Sequence, residues 1–275
     1  MDGVREYYGG FGEREWSRLD TASGALEFEV NTRIIQRYVS SPSRVLDIGG
    51  GPGRYALWLA SLGHEVVLAD LSPRLLEIAR ERIADSPFRA GIVDVVESDA
   101  RDMSQWDDAH FDAAVCLGPF YHLPDVCDRE RAALHLRRVV RAGGHVFVAF
   151  MPWQALFRRT VAIPEERHRL ADQAWVTGLL EEGSFINDVP GRFNMGFGAS
   201  PSGIAPFFEE LGFKTCGLFA SEGLGAGIEE AVADLRESDP ATYEALMGVV
   251  VASSDNPSIL GLSTHLLYVG QVVQT

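Results

Sequence analysis

The sequence is short of lysine and cysteine: Lys214 is its only lysine, and its cysteines are Cys116, Cys127 and Cys216. Three scattered cysteines are too few for a disulfide framework or a zinc site, so we expect a reduced, cytoplasmic protein without a metal. No run approaches the roughly 18 apolar residues of a membrane-spanning helix. The N-terminus, MDGVREYYGG, lacks the apolar core of a signal peptide. We therefore expect neither a membrane anchor nor a secretion signal.

Positive charge is also scarce. The formal net charge of −15 would repel a polyanion over much of the surface, so we expect no nucleic-acid partner. Apolar residues make up 46% of the 275 residues, enough for the core of one α/β domain with additions. The expected partner is a small-molecule substrate, and the sequence leaves assembly as a homodimer open.

Two nucleotide-binding signatures are missing from the glycine-rich stretch RVLDIGGGPGRYALWL at residues 44–59. The dinucleotide fingerprint requires glycine at its first, third and sixth places, and Arg54 occupies the sixth. A P-loop requires Gly-Lys-Ser/Thr, which is absent from this stretch. The stretch instead shows a short apolar run, three consecutive glycines and then helical spacing, which predicts a strand, a glycine turn and a helix.

The glycine turn predicts a ligand site. Gly49, Gly51 and Gly53 remove side chains where the backbone must pass close to something. We expect their amides, together with the N-terminus of the following helix, to favour a ligand anion such as a carboxylate or a phosphate.

Acidic residues end the next two predicted strands. Asp70 follows the apolar run from Val66 to Ala69, and an acid at this position can accept both hydroxyls of a ribose. Asp99 follows a third strand, where a carboxylate suits the edge of an adenine. Parallel strands present their loops at one edge of the sheet, so the tips at 49, 70, 99 and 118 are expected to line one crevice.

Five motifs in this order and spacing resemble the class I S-adenosylmethionine-dependent methyltransferases of the small-molecule type. They are VLDIGGGPGRY, VVLADLSP, ESDARDM, FDAAVCLGPFYHL and RVVRAGGHVFVAF. The resemblance covers Arg44 to about Met151 and resumes weakly at EELGFKT and HLLYVG. It implies S-adenosylmethionine as the cofactor. It also implies a Rossmann-like α/β fold, with a seven-stranded, mostly parallel sheet and helices on both faces.

The resemblance implies a role in holding the cofactor for each matching position. Asp47, Gly49, Gly51 and Gly53 would hold the methionine end of the cofactor, and Asp70, with Leu71 beside it, would hold the ribose. Asp99 and Ala100 would contact the adenine, and Leu117 and Gly118 would flank the sulfonium.

We expect one domain over residues 1–275, organised in four parts. They are an N-terminal helical or lid segment at 1–40, a cofactor-binding core at 41–151, an insertion at 152–201, and the C-terminal part of the sheet with a helical insertion at 202–275. The insertion at 152–201 is the best candidate for a cap over the acceptor, and the alternative is a second packing layer or a dimer surface.

Aromatic residues are frequent near the N-terminus, at Tyr7, Tyr8, Phe11 and Trp16. One interpretation is a lid whose rings, including Tyr7 and Tyr8, close over the cofactor. The alternative is a helix docked on the domain by Trp16 and Leu19, and aromatic residues alone do not decide between the two.

His122 and Tyr121, in GPFYHL after the fourth strand, are the candidate catalytic residues. Methyl transfer is a displacement at a sulfonium carbon, in which the protein chiefly aligns donor and nucleophile. A base is needed when the nucleophile carries a proton, and His122 is the candidate by position, with scaffolding as its alternative. Tyr121 is expected to form a wall of the pocket. His265, before the last strand, could face the crevice or be structural.

The leading functional hypothesis is an S-adenosylmethionine-dependent methyltransferase acting on oxygen or nitrogen of a small molecule. The first alternative is an enzyme of the same fold that cyclises S-adenosylmethionine itself to azetidine-2-carboxylate or aminocyclopropane-carboxylate and releases methylthioadenosine. Two further alternatives are a non-catalytic cofactor-binding protein, which the intact glycine and aspartate pattern disfavours, and a nicotinamide oxidoreductase, which Arg54 disfavours.

Overall fold

A computed structural model describes residues 10, 12–187, 189 and 195–274. Tyr7 and Tyr8, which the sequence predicts to close over the cofactor, lie outside the described residues, as does Phe11. The strands are β1 (Arg44–Ile48), β2 (Glu65–Asp70), β3 (Ile92–Glu97), β4 (Phe111–Cys116), β5 (Val140–Pro152), β6 (Ser184–Ile186), β7 (Met195–Ala199), β8 (Phe213–Ala220) and β9 (Leu266–Val272).

Eleven α-helices accompany these strands in the described part of the chain. They are α1 (Glu13–Arg18), α2 (Ala22–Ile35), α3 (Arg54–Ser61), α4 (Pro73–Ala84), α5 (Val126–Val139), α6 (Trp153–Ala162), α7 (Gln173–Thr177), α8 (Pro201–Glu210), α9 (Glu229–Ser238), α10 (Pro240–Ser253) and α11 (Pro257–Leu260).

The main sheet has seven strands in the order β3-β2-β1-β4-β5-β9-β8. The strands from β1 to β5 are parallel, and β9 is antiparallel to both of its neighbours. The predicted seven-stranded, mostly parallel α/β sheet is therefore confirmed. The hairpin β6-β7 is an addition that pairs with the last residues of β5 through Met151 and Pro152.

Alternation along the strands divides the core between the two faces of the sheet. On β9, Leu266 and Tyr268 pack with α5 and α8, whereas Leu267 and Val269 pack with α2, α3 and α10. Phe208 of α8 stacks on Tyr268 with ring centroids 4.1 Å apart. Helices therefore cover both faces and leave the edges for loops and ligands.

The helix α1 is docked on the domain. The Trp16 ring lies between the guanidinium groups of Arg54 and Arg82, which are 4.9 and 5.0 Å from its centroid. Glu13 forms an ion pair with Arg82 at 2.7 Å. This agrees with the docked-helix interpretation of the N-terminal segment as far as the chain is described.

The helices of the detour between β8 and β9 pack on α2. Tyr243 of α10 donates a hydrogen bond to Glu29 at 2.7 Å, and Arg33 pairs with Glu244 at 2.8 Å. Met247 and Val250 are fully buried in the same face of the core. The detour thus supports α2, whose first turns approach the carboxyl edge of the sheet.

The insertion after β5 consists of short helices and the β6-β7 hairpin. Buried Glu166 joins its parts by pairing with Arg159 at 2.9 Å and accepting a hydrogen bond from Asn187. Phe197 of β7 lies under the guanidinium of Arg129, 3.6 Å from ring centroid to Cζ. No helix within the described residues is long and apolar enough to cross a membrane.

Candidate active site

The strand tips that the sequence predicts to converge do line one cavity at the carboxyl edge of the sheet. Its wall includes residues from the segments 49–52, 70–72, 98–100 and 117–119. Glu15 and Arg18 of α1, together with Leu19 just after it, also contribute to the wall. Of the insertion at 152–201, no described residue lines this cavity. The acceptor-cap function of the insertion therefore stays a prediction.

The glycine turn adopts conformations that favour glycine. Gly49, Gly51 and Gly53 have φ of 72°, 55° and 89°. A Cβ on Gly49 would lie 2.5 Å from Cδ of Pro119, so the turn packs directly against the tip of β4.

The amides of the turn donate within the protein. Gly49 donates to the carbonyl of Ala69 at 2.7 Å, Gly51 to Asp70 Oδ2 at 2.8 Å, and Gly53 to the carbonyl of Gly50 at 3.0 Å. Protein oxygens already accept from these amides, and the binding of a ligand anion by the turn stays a prediction.

Asp47 lies beneath the glycine turn, with 1% of its surface exposed. The backbone N–H of Ala56, in the first turn of α3, donates to its carboxylate. Its Oδ2 has no hydrogen-bond partner within the described residues. Burial, reinforced by the charge of Asp70, raises the pKa of Asp47 to about 7. A buried carboxylate oxygen without a donor is suited to a donor or a cation on a ligand.

Asp70, at the end of β2, is held by two backbone donors. Its Oδ2 accepts from Gly51 and its Oδ1 from Ser72, both at 2.8 Å. Burial raises its pKa to about 6, against the effect of these hydrogen bonds. Each oxygen keeps acceptor capacity for a ligand hydroxyl, and the carboxylate is fixed in orientation. Leu71 lines the cavity next to it.

Asp99 and Ala100 line the cavity after β3. The Asp99 carboxylate faces Arg101, with Oδ2 2.7 Å from Nη2, and Arg101 also pairs with Asp128 at 2.8 Å. Burial opposes ionisation of Asp99, but Arg101 holds its pKa below the usual range. The Asp99 carboxylate is already paired with Arg101. The contact of Asp99 with adenine therefore stays a prediction.

Leu117 and Gly118 form the tip of β4 opposite the glycine turn. The hydroxyl of Tyr121 donates to the carbonyl of Leu117 at 3.1 Å, which fixes the ring as part of the cavity wall. His122 also lines the cavity but is only 5% exposed, and burial lowers its pKa to about 3. Its imidazole therefore stays neutral at ordinary pH, which disfavours a role that requires it to hold a proton.

His265, which the sequence places near the crevice, lies next to this wall among charged residues that the sequence did not reveal. Arg18 pairs with Glu27 of α2 at 2.7 Å and with Glu15 at 3.1 Å. His265 lies 3.1 Å from Glu222 and 3.5 Å from Glu27. Glu27 adjoins the apolar stripe of α2, and Glu222 lies in a turn after β8. Neither position carries a local motif, so only the fold reveals the cluster.

The comparisons with known proteins agree with this geometry. Residues 46–148 match the family model described as "Methyltransferase domain". A curated relative, the ubiquinone/menaquinone biosynthesis C-methyltransferase UbiE of Pseudomonas entomophila (strain L48), is 34% identical over 113 residues. That match covers 40% of this chain and 42% of the relative, so it spans less than half the length of either protein.

Two solved structures share the fold over most of the chain. A S-adenosylmethionine-dependent methyltransferase of Methanosarcina mazei matches with a TM-score of 0.61 at 18% identity, covering 88% of this chain and 98% of that one. A chain from the complex of the Haloferax volcanii Trm112 methyltransferase activator with a methyltransferase also gives a TM-score of 0.61, at 16% identity and with coverage of 99% and 98%. The family-model match assigns a methyltransferase domain to residues 46–148, and the solved structures share the fold of the chain as a whole.

Proposed function

We propose that this chain is an S-adenosylmethionine-dependent methyltransferase that acts on a small-molecule acceptor. The observation that carries the proposal is the placement of Asp47 and Asp70 in one cavity, both buried and both with acceptor capacity left over. Buried carboxylates of this kind need donors from a ligand to be fully satisfied.

These residues fit the cofactor. The two carboxylate oxygens of Asp70 suit the paired hydroxyls of a ribose. The unpartnered Oδ2 of Asp47 suits the ammonium group at the methionine end, because an ammonium would supply both a donor and a counter-charge. The glycine turn keeps side chains out of the space between them. Asp99, Ala100, Leu117 and Gly118 complete the wall, as the family resemblance implies.

The bound cofactor supplies an activated methyl group on a positively charged sulfur. The protein's task is then alignment and the exclusion of water. Tyr121, fixed on Leu117, holds the wall at the tip of β4, and α1 contributes Glu15 and Arg18 to the wall. The formal net charge of −15 disfavours a polyanionic acceptor.

The acceptor atom is the least constrained part of the proposal. The curated relative is named as a C-methyltransferase. A carbon atom is therefore a third candidate for the methylated atom, besides the oxygen and nitrogen that the sequence suggests. The matched residues 46–148 form the cofactor half, which supports cofactor use more directly than acceptor choice. We infer a small nucleophile that enters beside Tyr121 and reaches the tip of β4.

The test combines binding and product analysis. Calorimetry with S-adenosylmethionine should show one site per chain, and incubation with a panel of phenols, hydroquinones and amines should release S-adenosylhomocysteine. No measurable binding would contradict the proposal. Release of methylthioadenosine with a cyclic amino acid in the absence of any acceptor would instead favour cyclisation, which the comparisons do not support.

A further inference from the structure

The cluster of His265, Glu222 and Glu27 lies at the same edge of the sheet as the cofactor cavity. Because β9 runs antiparallel to β5, its first residue, Leu266, pairs with Phe150 near the carboxyl end of β5. The last residue of β8 pairs with Leu266 as well, which places Glu222 just beyond the same edge. The topology therefore brings an imidazole and a carboxylate next to the strand tips, on the side of β5 away from the glycine turn.

Glu222 fixes the orientation of the His265 ring. Its Oε2 accepts from the hydroxyl of Ser263 and from the backbone N–H groups of Thr264 and His265, at 2.9 and 3.0 Å for the two amides. Its Oε1 lies 3.1 Å from Nδ1 of His265. Since an ionised carboxylate can only accept, Nδ1 must carry the proton, and Nε2 is left as the basic nitrogen of the neutral ring.

His265 lies next to the wall of the cavity. Its ring centroid is 6.1 Å from that of Tyr121, whose hydroxyl donates to Leu117 at the tip of β4. The side chain of His265 is 15% exposed, and His265 stands behind Tyr121 rather than among the residues that line the cavity. In contrast, His122, the base favoured by position in the sequence, is buried within the wall itself.

The surrounding charges favour a protonated ring. Burial lowers the pKa of His265, but Glu27 and Glu222 outweigh this effect and raise it, with Arg18 opposing them. Glu27 is itself held ionised chiefly by Arg18, against the effect of its burial. The titratable and charged groups that face this ring are Glu222, Glu27, Arg18, Glu15 and Tyr121.

A metal site is the competing interpretation of the same residues. Ligand atoms of Glu27, Glu222 and His265 all lie within 4.8 Å of one another. However, the Arg18 guanidinium is 2.7 Å from Oε2 of Glu27, and Oε2 of Glu222 already accepts three hydrogen bonds. A cation would have to displace these partners, so proton transfer suits the cluster better.

We propose that His265, oriented by Glu222, is the proton acceptor for the nucleophile in this enzyme, and that the acceptor is a molecule whose nucleophilic O–H, N–H or ring C–H gives up a proton. This inference rests on the proposed function. As the new bond to the methyl group forms, the S–CH₃ bond breaks and its electron pair stays on sulfur. The proton of the nucleophile passes to Nε2 of His265 and then to solvent, and Glu222 and Glu27 stabilise the imidazolium in between.

The first test needs no acceptor. The full chain, saturated with S-adenosylhomocysteine, is treated with diethyl pyrocarbonate, which labels the neutral Nε2 of histidine, and the labels are mapped by mass spectrometry. We expect His265 to be labelled at a rate that rises with pH, alongside exposed His168 and in contrast to buried His122. In E222Q the rise should move to lower pH, making labelling at pH 6 several-fold faster. If E222Q does not fold, E27Q replaces it, and we expect the same shift in the labelling of His265.

Failure of this labelling test is informative. Absence of label at His265 while His168 reacts would overturn the inference, since a base must be reachable with the cofactor site filled. A labelling profile that is the same in wild type, E222Q and E27Q would overturn it as well.

The second test uses whichever acceptor releases S-adenosylhomocysteine with wild type. H265Q should then lower kcat by about 100-fold or more, the usual loss for a general base, while the Kd for S-adenosylmethionine changes less than threefold. H265Q turnover within threefold of wild type would refute the role of His265 and leave the proposed function intact. If wild type does not bind S-adenosylmethionine, the proposed function fails, and labelling of the free protein still decides whether His265 is a reachable base oriented by Glu222.

Discussion

The two sides of the cavity edge hold their carboxylates in different ways. On the side of the glycine turn, Asp47 and Asp70 are held mainly by backbone N–H groups, and burial raises the pKa of both. On the side of β9, Glu27 pairs with Arg18, and Glu222 pairs with His265. The first arrangement keeps unused acceptor capacity for a ligand. In the second arrangement each carboxylate is paired with a positively charged or protonatable group of the protein. Such pairing suits a histidine that holds a proton for a short time.

The difference implies opposite responses to the removal of a carboxylate charge. Loss of a compensated carboxylate leaves its former partners buried without an acceptor, whereas loss of an uncompensated one removes a desolvation cost. Stability and ligand affinity should therefore separate between the two sides, and the following variants test that separation.

The largest effect is expected for Glu222→Ala on the β9 side. The change leaves the amides of Thr264 and His265 and the hydroxyl of Ser263 without their buried acceptor. We expect the free energy of unfolding to fall by about 3 to 5 kcal/mol, measured by urea denaturation. Exposed Glu230→Ala is the matched control and should stay within about 0.5 kcal/mol of wild type. A loss as small as that of the control would show that the β9 side is not held by this carboxylate.

Asp70→Ala should weaken ligand affinity, and it also leaves the amides of Gly51 and Ser72 without their acceptor. Without the carboxylate, the ribose loses two charge-assisted hydrogen bonds, so we expect binding of S-adenosylmethionine to weaken by about 2 to 3 kcal/mol in calorimetry. Exposed Asp107→Ala is the control. An unchanged dissociation constant for Asp70→Ala would mean that the sugar does not lie at the tip of β2.

Asp47 should make the apo protein less stable as pH rises. Burial raises its pKa in the folded state to about 7, so between its ordinary value near 3.8 and that pH the folded protein holds a proton that the unfolded chain has lost. Unfolding free energy therefore falls as pH increases through this window. Asp47→Asn removes the titration.

The corresponding measurement is urea denaturation of both proteins at pH 5 and pH 8. Wild type should lose about 2 to 3 kcal/mol more than Asp47→Asn over this interval. Acids that do not interact with Asp47 contribute equally to both proteins and cancel in the comparison, whereas the charge of Asp70 acts on Asp47 and is part of the measured difference. Parallel pH dependences would contradict the assignment of an uncompensated charge to Asp47.

The glycine-turn side and the β9 side of the cavity edge also differ in how much of each could be predicted from the sequence. The glycine turn, Asp70 and Asp99 stand in local motifs, each within a few residues of a strand end, and short-range patterns therefore predict their places. Even there, the partners were not predictable: the Gly51 amide donates to Asp70, and Arg101 takes the Asp99 carboxylate, because these contacts depend on side-chain packing.

On the β9 side, the fold was predictable and the site was not. The C-terminal part of the sheet and the helical insertion within residues 202–275 follow from the sequence pattern. Yet Glu27, Glu222 and His265 are separated by 195 and 43 positions along the chain. No local spacing relates them, and only the antiparallel insertion of β9 between β5 and β8 brings them together.

The smallest effect is expected for Trp16→Ala, which loosens α1. The Trp16 ring lies between Arg54 and Arg82, and α1 carries Glu15 and Arg18 to the cavity wall. Loss of two cation–π contacts of about 0.5 kcal/mol each should weaken binding of S-adenosylmethionine by roughly fivefold. Trp175→Ala, in the insertion that does not line the cavity, is the matched control and should leave the Kd unchanged. If Trp175→Ala weakens binding as much as Trp16→Ala, the insertion contributes to the cofactor site as much as α1 does.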